Sequence, residues 1–117
     1  MTARVLICDD EPALRELMRV ALVGDYEFAE AESVAESLEI GDEFRPDVAL
    51  VDVMMPGGSG LDVVRHLKDI RCFVVFAFVA EIDQEEVRVV GVVGFVSKSF
   101  DSDELLVMVT NLLSNDH

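Results

Sequence analysis

Five short apolar runs alternate with stretches of helical spacing along this chain, and that alternation constrains its fold more than any other feature. Residues 4–8, 48–52 and 73–79 are almost wholly apolar, as strands buried on both faces are; residues 27–31 are more polar, as suits an edge, and 94–96 make a last short strand. Between the first two runs, Pro12 suits a first helical turn, and Leu14, Leu17, Met18, Ala21 and Leu22 form one apolar stripe before Gly24 closes the helix. Ser33 and Glu36 stand at capping-box spacing for a second helix, which fades near Gly41. Leu61, Val64 and Leu67 set a third helix ending about Asp69. In residues 83–90, Glu85 and Glu86 favour a fourth helix while Val87, Val89 and Val90 do not. Asp101 or Ser102 caps the last one, where Leu105, Met108, Val109 and Leu112 keep helical spacing. Strand then helix, five times over, predicts an α/β fold: a doubly wound, five-stranded parallel sheet with helices on both faces. Any crevice for chemistry then lies beyond the carboxyl ends of the strands.

Composition narrows the function. At 117 residues with 51% hydrophobic content, the chain reads as a single domain, residues 1–117, with its own core. A net charge of −15 works against direct binding to nucleic acid. Cys8 and Cys72 lack the spacing of a zinc or redox motif and read as reduced, packed thiols. The sequence has no bilayer-length apolar segment and no signal peptide, so the expected location is cytoplasmic, with no membrane partner.

The strand ends carry the chemistry. The first delivers Asp9 and Asp10, the third Asp52 and the fifth Lys98. Three crowded carboxylates call for a hard divalent cation, most simply Mg²⁺, and Lys98 adds a positive charge from the other side. With metal and lysine present, a carboxylate can act as nucleophile on a phosphoryl group, which makes Asp52 the candidate for an aspartyl phosphate. The glycine-rich loop after it is no P-loop, since Gly-Lys-Ser/Thr does not follow. His66 reads as a surface residue of the third helix.

Asp9-Asp10, the run Leu-Val-Asp52-Val-Met-Met-Pro56-Gly-Gly-Ser-Gly60 and Phe95-Val-Ser-Lys98 together resemble the receiver domain of two-component response regulators over essentially the whole chain. The resemblance implies a flavodoxin-like (βα)5 fold with strand order 2-1-3-4-5. It implies that Asp9 and Asp10 bind Mg²⁺ with Asp52 and the backbone carbonyl of Met54. Asp52 would accept a phosphoryl group from a sensor histidine kinase or phosphotransfer protein, and Lys98 would contact the phosphate. It also implies a downstream protein or output domain meeting the face made by the fourth helix, fifth strand and fifth helix, with a homodimer as a further pairing open to the chain.

Two positions depart from the family pattern. The hydroxyl residue that receivers carry at the end of the fourth strand is replaced here by Ala77, or by Phe78 or Val79 in a shifted register. The loss removes a hydrogen bond to a charged acceptor, about 1.5–3 kcal/mol where buried. Phosphorylation with weakened coupling is therefore expected, with Ala77 and Phe95 as the switch positions. Ser99 stands where the family usually has proline, commonly in a cis peptide, so either the loop bears a non-proline cis bond at about 2.5–4 kcal/mol or Lys98 is presented differently. These departures motivate an alternative, a degenerate receiver that binds or dimerises without phosphate. A true phosphatase is disfavoured, because the second Asp expected two residues after the first is Met54. The chain reads as a signalling domain that at most assists its own phosphorylation and dephosphorylation, not as an enzyme.

Overall fold

In the computed structural model, which describes residues 2–67, 70–76, 94–97 and 102–114, the alternating apolar runs become a parallel sheet. The first strand, β1 (Ala3–Cys8), lies between β2 (Tyr26–Ala31) and β3 (Val48–Asp52). A two-residue antiparallel pair, β4 (Met54–Met55) and β5 (Gly58–Ser59), follows; the sheet then continues through β6 (Arg71–Phe76) and β7 (Gly94–Ser97). Its order is β2-β1-β3-β6-β7, with every pair parallel.

Successive residues of β1 point to opposite faces, and each face meets its own helices. Val5 and Ile7 join Val48 and Leu50 beneath α1 (Pro12–Ala21) and the C-terminal helix (Ser102–Ser114), through Met18, Ala21, Leu105 and Val109. Leu6 and Cys8 join Ala49 and Val51 beneath α2 (Val34–Phe44) and α3 (Gly60–His66), through Val34, Val63 and Val64. Each such aliphatic side chain, once fully buried, contributes about 1.5–3 kcal/mol, which is why a sheet covered on both sides suffices as a core.

The helices differ from the sequence pattern in three places. Leu17, counted in the stripe of α1, is 47% exposed. The buried line runs through Leu14, Met18, Ala21 and Leu22, and Leu17 falls on its shoulder, one residue or 100° from Met18. Second, α2 does not stop at Gly41 but continues to Phe44, and its Arg45 cap adopts a left-handed conformation at φ 52°. Gly41 is a contact point rather than a terminator: a Cβ there would lie 2.8 Å from Leu67 Cδ2, so its small size lets α2 approach the end of α3 on the same face of the sheet. Third, α3 ends at His66, before Asp69.

Caps fix the helix starts. Ser33 Oγ accepts the Glu36 N–H at 3.1 Å, whereas the Glu36 carboxylate reaches back to the Glu32 N–H rather than to that of Ser33. The reciprocal box occurs instead at α3, between Ser59 and Asp62. The expected fourth helix at residues 83–90 lies outside the described residues, as do Ala77, Phe78, Val79, Lys98 and Ser99.

Candidate functional site

At the carboxyl edge of the sheet, register brings the acidic residues together. Cys8 pairs with Val51, so the next residues along, Asp9 and Asp52, sit side by side in adjacent strands. Both are buried, at 0% and 1% exposure, while Asp10 faces solvent. One carboxylate oxygen from each of Asp9, Asp10 and Asp52 lies within 4.8 Å of the others.

Asp9 is held at every polar point of its backbone. Its N–H donates to Ala31 O at 3.0 Å, extending the β1–β2 ladder by one residue, and its carbonyl accepts from Arg15 of α1 at 2.6 Å. Its Oδ1 accepts the Glu11 N–H at 2.9 Å, an Asx-type turn that leads into α1. Asp52 is oriented similarly, since its Oδ1 accepts the Met54 N–H at 3.3 Å. The chain then turns sharply: Gly60 N–H donates to Val53 O at 2.8 Å, and the start of α3 comes so close to Asp52 that a Cβ at residue 60 would lie 1.9 Å from its carbonyl oxygen. The loop is also tied to α2, where the Val34 N–H donates to Pro56 O at 3.1 Å.

An all-carboxylate donor set of this size suits a hard cation such as Mg²⁺. Two of the three carboxylates are withdrawn from water, so their mutual repulsion is poorly screened unless a cation joins them. The residues present therefore fit the metal that the sequence implies. The side chain of Met54 is 62% exposed at the mouth of the site.

The sequence singled out Asp9, Asp10 and Asp52, and the structure brings them together. Phe95 lies in β7, but its side chain, like Lys98 and Ala77, falls outside the described residues. His66 is a surface residue at the end of α3, with Nε2 2.9 Å from Asp42 Oδ1 of α2. Sequence reasoning passed over Arg15, which has no local signature, and quoted Gly60 only as the end of the motif run after Asp52, without its close approach to that residue. The Ser59–Asp62 box did have one, a Ser followed three residues later by a carboxylate.

A parallel α/β sheet with an acidic pocket at its carboxyl edge defines an open α/β protein with its binding site beyond the strand ends. The response regulator receiver domain model matches residues 5–110, and this chain belongs to that family. It is 28% identical over 119 residues to the chemotaxis protein CheY of Halobacterium salinarum, covering 97% of this chain and 99% of that protein. With the phosphate regulon transcriptional regulatory protein PhoB of Pseudomonas aeruginosa it shares 33% identity over 116 residues, 93% of this chain but 51% of PhoB, so it spans about half that relative's length. Among solved structures, the REC domain of AraT, a response regulator from Geobacillus stearothermophilus, superposes with a TM-score of 0.86 at 28% identity, covering 99% of this chain and 98% of that one. The chain is thus a receiver domain of the two-component signalling family, a class that works between histidine kinases and downstream effectors. Among the described residues, no helix is long and apolar enough to cross a membrane.

Proposed function

We propose that Asp52 is the phosphoacceptor of this receiver, charged by a histidine kinase or phosphotransfer protein. The observation carrying this reading is the buried Asp52 carboxylate at the end of β3, with Asp9 and Asp10 ligand atoms within 4.8 Å. Asp9, Asp10, Asp52 and the Met54 carbonyl would hold Mg²⁺. Bound there, the ion supplies positive charge against the three carboxylates and the phosphoryl oxygens.

The remaining work falls to the chain. The Met54 N–H fixes one oxygen of Asp52 and so aims the carboxylate. One Asp52 oxygen attacks phosphorus, the bond from phosphorus to the donor's imidazole nitrogen breaks, and that nitrogen keeps the electron pair, leaving an aspartyl phosphate and a neutral histidine. Lys98 would contact the phosphoryl group, as the family motif implies. Ala77 and Phe95 are the positions through which the state of the site reaches the partner face. With no hydroxyl at residues 77–79, that coupling is weaker than in an ordinary receiver. The chain acts in the cytoplasm as one receiver domain across residues 1–117. It passes its signal to a protein or output domain, or to a second copy, without touching nucleic acid itself, which its net charge of −15 opposes.

Intact mass spectrometry after incubation with acetyl phosphate and Mg²⁺ tests this reading. One added phosphoryl group in the wild type and none in Asp52→Asn is expected. Absence of the adduct in a folded, metal-bound wild type overturns the reading and leaves a phosphate-independent binding module.

A further inference from the structure

Arg15 lies one turn into α1, and its guanidinium reaches out of the helix in two directions. Its side chain is only 15% exposed. Nε donates to Glu30 Oε1 of β2 at 3.0 Å, and a terminal nitrogen donates to the backbone carbonyl of Asp9 at 2.6 Å. Glu30 is gripped in turn by Arg19, one helical turn further on. A planar guanidinium fixed at one edge by a carboxylate presents its other edge in a set direction, which lysine cannot reproduce.

The carbonyl that Arg15 holds belongs to the peptide linking Asp9 to Asp10. That peptide is a rigid plane, so fixing its oxygen fixes the direction in which the Asp10 Cα leaves it. Asp9 has further anchors, through Ala31 O and the Glu11 N–H. Asp10 is the exposed member of the acidic trio, and the Arg15 bond acts on the plane that sets its approach to the other two. We propose that Arg15, clamped by Glu30, is a positioning residue for the acidic site, holding the 9–10 peptide so that Asp10 stays within reach of a cation shared with Asp9 and Asp52.

The proposal rests on the metal-site reading above, and it makes a prediction opposite in sign to simple electrostatics. Removing a positive charge beside an acidic pocket should strengthen cation binding through space. Loss of positioning should weaken it, as loss of groups that orient metal ligands commonly does by 10–100-fold.

The test is Mn²⁺ binding followed by the electron paramagnetic resonance of the free ion, with no phosphodonor present. Arg15→Ala is expected to bind Mn²⁺ about 10-fold more weakly than wild type. Arg15→Lys, which keeps the charge without the fork, should fall between them at about threefold. In ¹⁵N spectra the Asp10 amide should shift in both variants while the amides of α2 stay in place, a signature that general destabilisation does not produce. Equal or tighter binding by Arg15→Ala overturns the proposal and leaves the metal site standing. Should Arg15→Ala not fold, wild-type affinity in Arg15→Lys overturns it equally. Failure of the wild type itself to bind Mn²⁺ defeats the metal-site reading and the proposal together.

Discussion

Replacing Gly60 by alanine adds one methyl group at the point where α3 starts against the end of β3. The backbone there needs no left-handed conformation, so the whole effect is contact. The new Cβ would stand 1.9 Å from Asp52 O, 2.8 Å from Asp52 C and 2.8 Å from Val51 Cγ1. Two of these are main-chain atoms of the strand that carries the proposed phosphoacceptor, so no side chain can swing aside. Helix and strand end must part by about 1.1 Å to reach even 3.0 Å, in a close-packed region that transmits strain. Overpacking of this kind costs about 1–3 kcal/mol, with the upper end expected here, and a chain of this size loses roughly 4 °C in Tm per kcal/mol. A displacement near 1 Å of an aligned reacting group costs on the order of 10²-fold in rate. Gly60→Ala is therefore expected to melt about 8–12 °C lower and to accept phosphate from acetyl phosphate about 100-fold more slowly, read by calorimetry and by intact mass over time. Gly57→Ala is the matched control. It lies in the same loop at φ 93°, where a Cβ meets only Val34 Cβ at 3.8 Å; its cost is about 1 kcal/mol of backbone strain, with no change in phosphorylation rate. Wild-type phosphorylation by Gly60→Ala, with a melting point within 2 °C of the parent by calorimetry, would refute the close-approach reasoning.

Three further outcomes follow, two from the acidic site and one from the end of α2. Without metal, Asp52→Asn should melt above the wild type, because one of three crowded charges is gone; Mg²⁺ at ten times its Kd should raise the wild-type Tm by about 5 °C, equivalent to roughly 1.4 kcal/mol, and that of Asp52→Asn by less than half as much. Arg45→Gly relieves a left-handed non-glycine cap at φ 52°; the gain of about 1–2 kcal/mol is partly offset by a more flexible unfolded chain, so Tm should rise by about 2 °C in thermal melts, and a fall would show that the Arg45 side chain contributes more than its backbone costs.

What could be read in the sequence was what is local or periodic. The run Val48-Ala-Leu-Val-Asp52 announces a buried strand ending in a carboxylate, and the alternation of elements places that carboxylate beside Asp9 and Asp10. Less legible was everything decided by contacts across the fold. Leu17 looks like a core residue until the neighbouring elements select which 100° of α1 they cover. Gly41 looks like a helix stop, and only the approach of Leu67 shows why a small residue stands inside the helix. Arg15, between Leu14 and Glu16, reads as an ordinary surface arginine, because both groups it binds arrive from other elements. Gly60 merges into a glycine-rich loop, and its tight fit against Asp52 exists only once the strand and the following helix are in place.

The two hydrophobic layers also differ in when they can close. Among the described residues, the layer under α2 and α3 is drawn entirely from residues 6–70, whereas the one under α1 needs Leu105 and Val109. During synthesis at about 5–20 residues per second, the interval between emergence of Ile70, the last residue of the α2–α3 layer, and of Val109 is roughly 2–8 s. For that time Val5, Ile7, Met18 and Leu22 lack the cover of the C-terminal helix. While still being synthesised, the protein thus has one side finished and the other adhesive, and the α1 side is where a chaperone or protease would find it.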